Sequence, residues 1–312
     1  MTTSFAPQVV NARHLLSLTE IGPENLAWLV NRGLEIASRG VSVPPLSGKT
    51  IGIYFKRTST RTRTAFTVAA IKLGATPIAY GPSDLQICTG ETIADTARVL
   101  ASYLDALVVR TNESIDEMRA FASQNDMAII NAMSDTEHPT QAIADLVTIK
   151  EQFGRLHDVS VLYVGEGNNT ASALAFATAM TPGMRLTLLT PEGYGLPSGV
   201  LEGLSGFAIQ QHHDISSVRE KFDVVYTTRW QTMGVPKPDS DWKEKFRPYS
   251  VTPEFMQRFS KDGSTVFMHD LPAVRGDDVV SEVLDGAQSI AFRQARHKLT
   301  SAMAVLEWCV SQ

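Results

Sequence analysis

The chain has two cysteines in 312 residues, Cys88 and Cys309, far apart and in no CxxC pair. A disulfide framework is excluded, and a reducing, cytoplasmic setting is expected. Long apolar runs are also missing. Gly, Pro or charge breaks every candidate well short of the ~20 residues that span a bilayer, so no membrane partner is expected. The opening MTTSFAPQVV lacks the charged-then-apolar profile of a secretory signal. Excess positive charge is absent too, with 28 basic against 33 acidic side chains and a net charge of −5. No long-range field gathers nucleic acid or an anionic membrane, and any anion must be held by a local cluster of donors. The seven histidines show no HxH or HxxxH spacing with a partner carboxylate, so no metal site is expected. There is no fixed-period repeat and no low-complexity tract.

What is present is rhythm. The length suits about two domains. After a helical stretch from Leu15 to Gly40, with turn signals at Gly22-Pro23 and Pro44-Pro45, short apolar runs alternate with amphipathic ones. TIGIYF (50–55), TPIAY (76–80), ALVVR (106–110) and MAIIN (127–131) read as strands, and 60–73, 92–103 and 114–123 read as helices. A linking helix, Ala142 to Phe153, leads to VSVLYVG (159–165), RLTLLT (185–190), FAIQQH (207–212), DVVYTT (223–228) and STVFMH (264–269). The expected fold class is α/β, with two doubly wound parallel-sheet domains over 1–150 and 151–292. From spacing alone, the amphipathic tail Ala295 to Val310 either caps the second sheet or crosses back to the first.

Polar residues gather where strands end. Lys56-Arg57-Thr58-Ser59-Thr60-Arg61-Thr62-Arg63-Thr64 follows a strand and opens a helix. Free helix N–H groups, hydroxyls and guanidinium forks suit a phosphate-sized dianion there; a solvated, well-capped helix start is the plain alternative. His138 and Gln141 in Glu137-His138-Pro139-Thr140-Gln141 lie about one helical turn apart, at the end of MAIIN, and suit a ligand carbonyl. Capping and a surface amide explain them equally. Arg110 ends ALVVR. Asn168-Asn169, Arg229 with Gln231, and His269-Asp270 follow three strands of the second half. Gly165-Glu166-Gly167-Asn168-Asn169-Thr170 resembles part of a dinucleotide fingerprint but has Thr170 at the third glycine position, which leaves a nicotinamide oxidoreductase as a remote alternative.

Taken together, five motifs resemble the aspartate and ornithine carbamoyltransferases over essentially the whole chain. They are Ser59-Thr60-Arg61-Thr62-Arg63, Glu91-Thr92-x-x-Asp95-Thr96-Ala97-Arg98-Val99-Leu100, His138-Pro139-Thr140-Gln141, Trp230-x-Thr232-Met233-Gly234 and His269-Asp270-Leu271-Pro272. The resemblance implies a carbamoyl phosphate domain, an amine domain, a last helix (293–312) that returns to the first domain, a homotrimer with shared active sites, and a reaction that needs no metal or organic cofactor. Ser59, Thr60, Arg61 and Thr62 would hold the phosphate, and Arg110 would bridge it to the carbonyl oxygen. His138 and Thr60 would polarise that oxygen, Gln141 would orient the carbamoyl NH2, and Leu271 and Lys298 would complete the donor site. Gln86 matches a glutamine supplied from the neighbouring subunit, whereas the lysine of aspartate-type enzymes is absent from that loop, where Thr89 and Gly90 stand.

The acceptor side is a hybrid. Asn169, Thr232 and Met233 match the ornithine type, but Thr228 stands where that type has an aspartate, and Asp270 where it has a cysteine. Thr228-Arg229-x-Gln231 resembles the carboxylate grip of the aspartate type, and Lys298 replaces an arginine. With Asp270 able to hold an ammonium or take its proton, the acceptor expected is neither ornithine nor aspartate but a short diamino acid, such as a diaminopropionate unit. Ornithine itself and a non-catalytic phosphate-binding relative are the alternatives.

Overall fold

Each apolar run followed by an amphipathic one becomes a strand and a covering helix. The computed structural model describes residues 13–231 and 237–311. Its first half holds α1 (Leu18–Arg39), β1 (Thr50–Phe55), α2 (Arg61–Lys72), β2 (Thr76–Tyr80), α3 (Ile93–Leu100), β3 (Ala106–Arg110), α4 (Asp116–Phe121), β4 (Ala128–Met133) and α5 (Pro139–Phe153). The second half continues with β5 (Ser160–Val164), α6 (Asn169–Ala179), β6 (Arg185–Leu189), α7 (Ser198–Gly203), β7 (Ile209–His212) and β8 (Val224–Thr227). Then come α8 (Trp242–Phe246), α9 (Pro253–Phe259), β9 (Val266–His269), α10 (Ser281–Leu284) and α11 (Ala291–Val310). Among these residues no helix is long and apolar enough to cross a membrane.

The strands form two all-parallel sheets, ordered β2-β1-β3-β4 and β7-β6-β5-β8-β9. The α/β architecture read from the sequence is therefore the one observed. Strands β3, β4, β5 and β8 are buried along their whole length, which is why they read as continuous apolar runs. Strand β2 lies at an edge, where Pro77 costs no ladder hydrogen bond to a further strand. Strands β3 and β4 slip register by one residue, Val109 facing Asn131 and Arg110 facing Met133. Such bulges re-aim side chains, and here one sits at the strand end that carries Arg110.

The tail resolves the choice left open by its spacing. Helix α11 packs against α1, α2 and α5, and buries Met303, Val305, Leu306 and Trp308. It starts at Ala291, two residues before the expected 293, because the strand-like bond from Ile290 N–H to the Phe267 carbonyl (2.9 Å) ends just there. One apolar cluster joins Ile53 and Phe66 through Leu146 and Val305 to Val161 and Tyr226, so the two sheets share a core.

At the other end, α1 begins at Leu18 rather than Leu15. Leu15 is drawn into the first sheet beside β4, exchanging backbone bonds with Ile129 (2.9 Å) and Asn131 (2.8 Å), and Ser17 caps the helix. At Gly22-Pro23 the helical backbone is interrupted, as the turn signal predicts, because Gly22 takes φ 76° and ψ 169°; Pro23 then opens the stretch that runs to Arg39. The linking helix starts earlier than Ala142, at Pro139, which makes His138 its N-cap residue.

Gly167 sets the approach of the β5–α6 turn to its neighbour. A Cβ there would stand 2.3 Å from the Gly195 carbonyl carbon and 2.4 Å from the Leu196 nitrogen, both backbone atoms that cannot swing away. Gly167→Ala is expected to cost roughly 1–3 kcal/mol by overpacking. Thermal unfolding measures this loss, and an unchanged midpoint would show that the turn yields.

Candidate active site

In open parallel sheets, ligands bind at the carboxyl ends of strands where the order reverses. The first sheet reverses between β1 and β3, the second between β5 and β8. The four loops leaving these strands meet in one cavity of about 190 Å3, a volume for a small molecule rather than a dinucleotide. It is lined by Ser59, Thr60, Arg61, Thr62, Arg110, His138, Gln141, Asn169, Thr228, Arg229, Gln231, Asp270, Leu271 and Lys298. All of these were singled out from the sequence. A larger, shallower groove near the start of β9, bounded by Lys221, Met256, Lys261 and Glu282, gathers no comparable convergent set.

Two groups of predicted residues fall elsewhere. Gln86 is exposed in a short turn, where its Oε1 accepts from the Thr89 hydroxyl at 2.7 Å, and it does not line its own chain's cavity. Thr232 and Met233 lie outside the described residues. The dinucleotide alternative loses its physical basis. The Asn168 side chain already accepts the N–H groups of Thr170 (3.0 Å) and Ala171 (3.2 Å) that a pyrophosphate would take.

The cavity wall is electropositive where Arg61, Arg110 and Lys298 meet. Arg110, 6% exposed, donates to the Thr62 hydroxyl at 3.2 Å, and its Nε has no partner among the described residues. Burial and the neighbouring Arg61 charge bring this guanidinium down to about 10, against the pull of Asp270. Lys298 donates to Gln141 Oε1, and burial lowers its ammonium to about 8. Burial, with Lys298 and Arg110 close by, drives His138 well below its ordinary value. Its imidazole is therefore neutral and can donate a hydrogen bond to an oxygen without surrendering a proton. Backbone tethers fix this group: the His138 N–H donates to the Asn169 carbonyl at 3.2 Å, and Asn169 Nδ2 to the Ser134 carbonyl at 2.7 Å.

Another part of the wall is built around the carboxylate of Asp270. Asp270 Oδ2 accepts from the Thr170 and Thr228 hydroxyls, each at 3.1 Å. Burial alone would raise its pKa, yet His269, Lys298 and Thr170 hold it below the ordinary value. His269 is wholly buried, with Nε2 2.6 Å from Asp278 and Nδ1 3.4 Å from Asp270. Its Nδ1 also receives the Leu271 N–H at 2.8 Å, and the Leu271-Pro272 bond is cis.

Sequence reading missed three parts of this site. Thr170 enters only as a failed glycine position, although its hydroxyl fixes Asp270. Asp278 pairs with His269 across nine residues. Asp145 sits on the apolar face of α5 and accepts from Gln141, Gln294 and Tyr226. Its one signal was a charged residue inside an otherwise uncharged helical stretch, Ala142 to Ile149.

The fold and the cavity define a two-sheet transferase with an anion pocket. Residues 13–151 match the family model of the aspartate/ornithine carbamoyltransferase carbamoyl-P binding domain, and 157–309 that of the Asp/Orn binding domain. The chain belongs to the aspartate/ornithine carbamoyltransferase family and is a carbamoyltransferase using carbamoyl phosphate. Ornithine carbamoyltransferase from Oceanobacillus iheyensis is 36% identical, over 97% of this chain and 96% of its own. That from Methanothermobacter thermautotrophicus is 37% identical over 95% and 98%. The solved ornithine carbamoyltransferase of Pyrococcus furiosus superposes with a TM-score of 0.89 at 34% identity, covering 96% of this chain and 98% of that one.

Glu137, next to His138, is 3% exposed, and its Oε1 accepts the Leu18 N–H at 2.9 Å. Burial raises this carboxyl from 4.5 to about 7 against those bonds. The folded state thus holds the proton more tightly than the unfolded chain, and stability falls as pH rises from 4.5 to about 7. Glu137→Gln keeps an acceptor for Leu18 and removes that slope, by at most about 3 kcal/mol. Urea titrations at the two pH values measure it; equal slopes in both proteins would remove Glu137 from the pH response.

Proposed function

We propose that the protein transfers the carbamoyl group from carbamoyl phosphate to the side-chain amine of ornithine. The observation that carries this reading is the convergence of Arg61, Arg110, His138, Gln141 and Lys298 with Asp270 on the wall of one small cavity. The relatives support the acceptor, since those described above carry ornithine in their names. The expectation of an acceptor other than ornithine finds no support among them.

In this reading Ser59, Thr60, Arg61 and Thr62 take the phosphate at the start of α2, where N–H groups and the helix dipole favour a dianion. Arg110 spans phosphate and carbonyl oxygen. His138 and Thr60 polarise that oxygen, Gln141 orients the NH2, and Leu271 and Lys298 close the donor site. Asn169, Thr228, Arg229 and Gln231, with Thr232 and Met233, hold the amino acid. The neutral amine attacks the carbamoyl carbon, and charge building on oxygen meets donors already in place. Asp270 takes the amine proton, and phosphate leaves. The acceptor's ammonium has one carboxylate to meet, Asp270, which takes over the charge that Thr228 does not supply.

The same residues give a second reading its footing. Asp270 lies a hydroxyl's reach from Thr228, with Arg229 in the same wall, an arrangement suited to a shorter diamino acid. We further propose the division at about residue 150 into donor and acceptor domains. The last piece is a homotrimer in which Gln86 of one subunit completes a neighbour's site.

Phosphate release with ornithine, 2,3-diaminopropionate and aspartate is expected to be fastest with ornithine. Failure of every amino-acid amine would overturn the function, and preference for the shorter diamine would establish the second reading. Arg110→Ala and His138→Ala should each lose about 100-fold or more in turnover, the ~3–4 kcal/mol of one oxyanion donor. Near-normal rates would remove either from the mechanism.

A further inference from the structure

Asp145 stands one turn beyond Gln141 on α5 and is wholly buried. Its Oδ1 accepts from Gln141 Nε2 and from Gln294 Nε2, each at 2.7 Å, and its Oδ2 from the Tyr226 hydroxyl at 3.0 Å. Burial raises this carboxyl to about 7, and in each of its three bonds it is the acceptor. An amide side chain has a donating end and an accepting end, and nothing in its shape tells them apart. Because the NH2 of Gln141 is committed to Asp145, its Oε1 is turned the other way, where it accepts from Lys298 at the cavity wall.

We propose that Asp145 is a positioning residue that fixes which end of the Gln141 amide meets the donor, so that the site selects a transferable group bearing NH2 over one bearing CH3. The proposal rests on the preceding reading, in which Gln141 faces the carbamoyl group. The same carboxylate reaches the acceptor side. Gln294, held by Asp145 through its NH2, accepts the His269 N–H on its Oε1 at 2.9 Å, one residue from Asp270. Both amides are thus oriented by one buried carboxyl group, whose partners come from α5, α11 and β8.

Asp145→Asn is nearly isosteric but replaces a carboxylate by a neutral amide, whose bonds are about half as strong as charge-assisted ones, and so loosens the hold on the Gln141 amide. The readout is donor discrimination: kcat/KM for carbamoyl phosphate against the inhibition constant of acetyl phosphate, which carries CH3 where the substrate carries NH2. We expect kcat/KM to fall about 100-fold while acetyl phosphate binds as before. Tyr226→Phe, which leaves the Gln141 bond intact, should keep the wild-type discrimination. A parallel loss for both phosphates in Asp145→Asn, or unchanged discrimination, would overturn the role of Asp145. Wild-type protein that releases no phosphate from carbamoyl phosphate would instead overturn the donor reading. If Asp145→Asn does not fold, hydrogen exchange in 15N-glutamine-labelled wild-type protein decides: protected Gln141 NH2 protons support the proposal, and protons exchanging like those of a free amide defeat it.

Discussion

Positive charges held against one another out of water are the constraint from which the rest of this molecule follows. Arg61, Arg110 and Lys298 share the wall of one small cavity, and burial together with mutual repulsion lowers Arg110 to about 10 and Lys298 to about 8. A lone chain segment could not hold such an arrangement, because desolvating a charge opposes folding. Three separate elements, α2, β3 and α11, each deliver one of these cations, and each is anchored by apolar packing that has nothing to do with the charge. A dianion entering the cavity offsets the repulsion, so the energy invested in the fold becomes affinity and, where charge grows on a carbonyl oxygen, catalysis.

That delivery requires the tail of the chain to come home. Lys298 and Gln294 lie on α11, which buries its apolar face against α1, α2 and α5, while Asp270 and His269 end β9 of the second sheet. The Gln294 bond to the His269 backbone and the Asp145 bond to Gln294 cross from one half to the other inside a shared core. Donor and acceptor groups are therefore registered by buried hydrogen bonds, which are costly to leave unmade and so tolerate little displacement.

The strands and the anion loop were legible in the sequence because both signals are local. Continuous apolar runs such as ALVVR mark buried parallel strands, and hydroxyls with arginines after TIGIYF mark a helix start. What escaped is long-range or ambiguous. Asp145 and Tyr226 are 81 residues apart, and Thr170 and Asp270 are 100 apart, so no window shows them as partners. Leu15 has helical spacing, but the free edge of β4 offers its backbone better partners.

The acceptor side shows how a charge can change position without leaving a site. The resemblance places an aspartate at 228, and this chain has threonine there; it places a thiol at 270, and this chain has aspartate. The two side chains touch, Thr228 donating to Asp270 at 3.1 Å. Exchanging charge between contacting positions keeps the number of carboxylates and moves the negative centre toward His269, whose imidazole lies against both Asp270 and Asp278. A carboxylate placed there faces two tasks that a thiol does not: it attracts the acceptor's ammonium and it can take the proton that the ammonium must lose before nitrogen attacks. His269 favours the first task, since a carboxylate held below its ordinary value pairs with an ammonium and is a weaker base. It holds Asp270 ionised below the ordinary carboxylate value, and its own proton is secured by Asp278. The two threonine donors share Oδ2 of Asp270, and Oδ1 lies on the side of the imidazole.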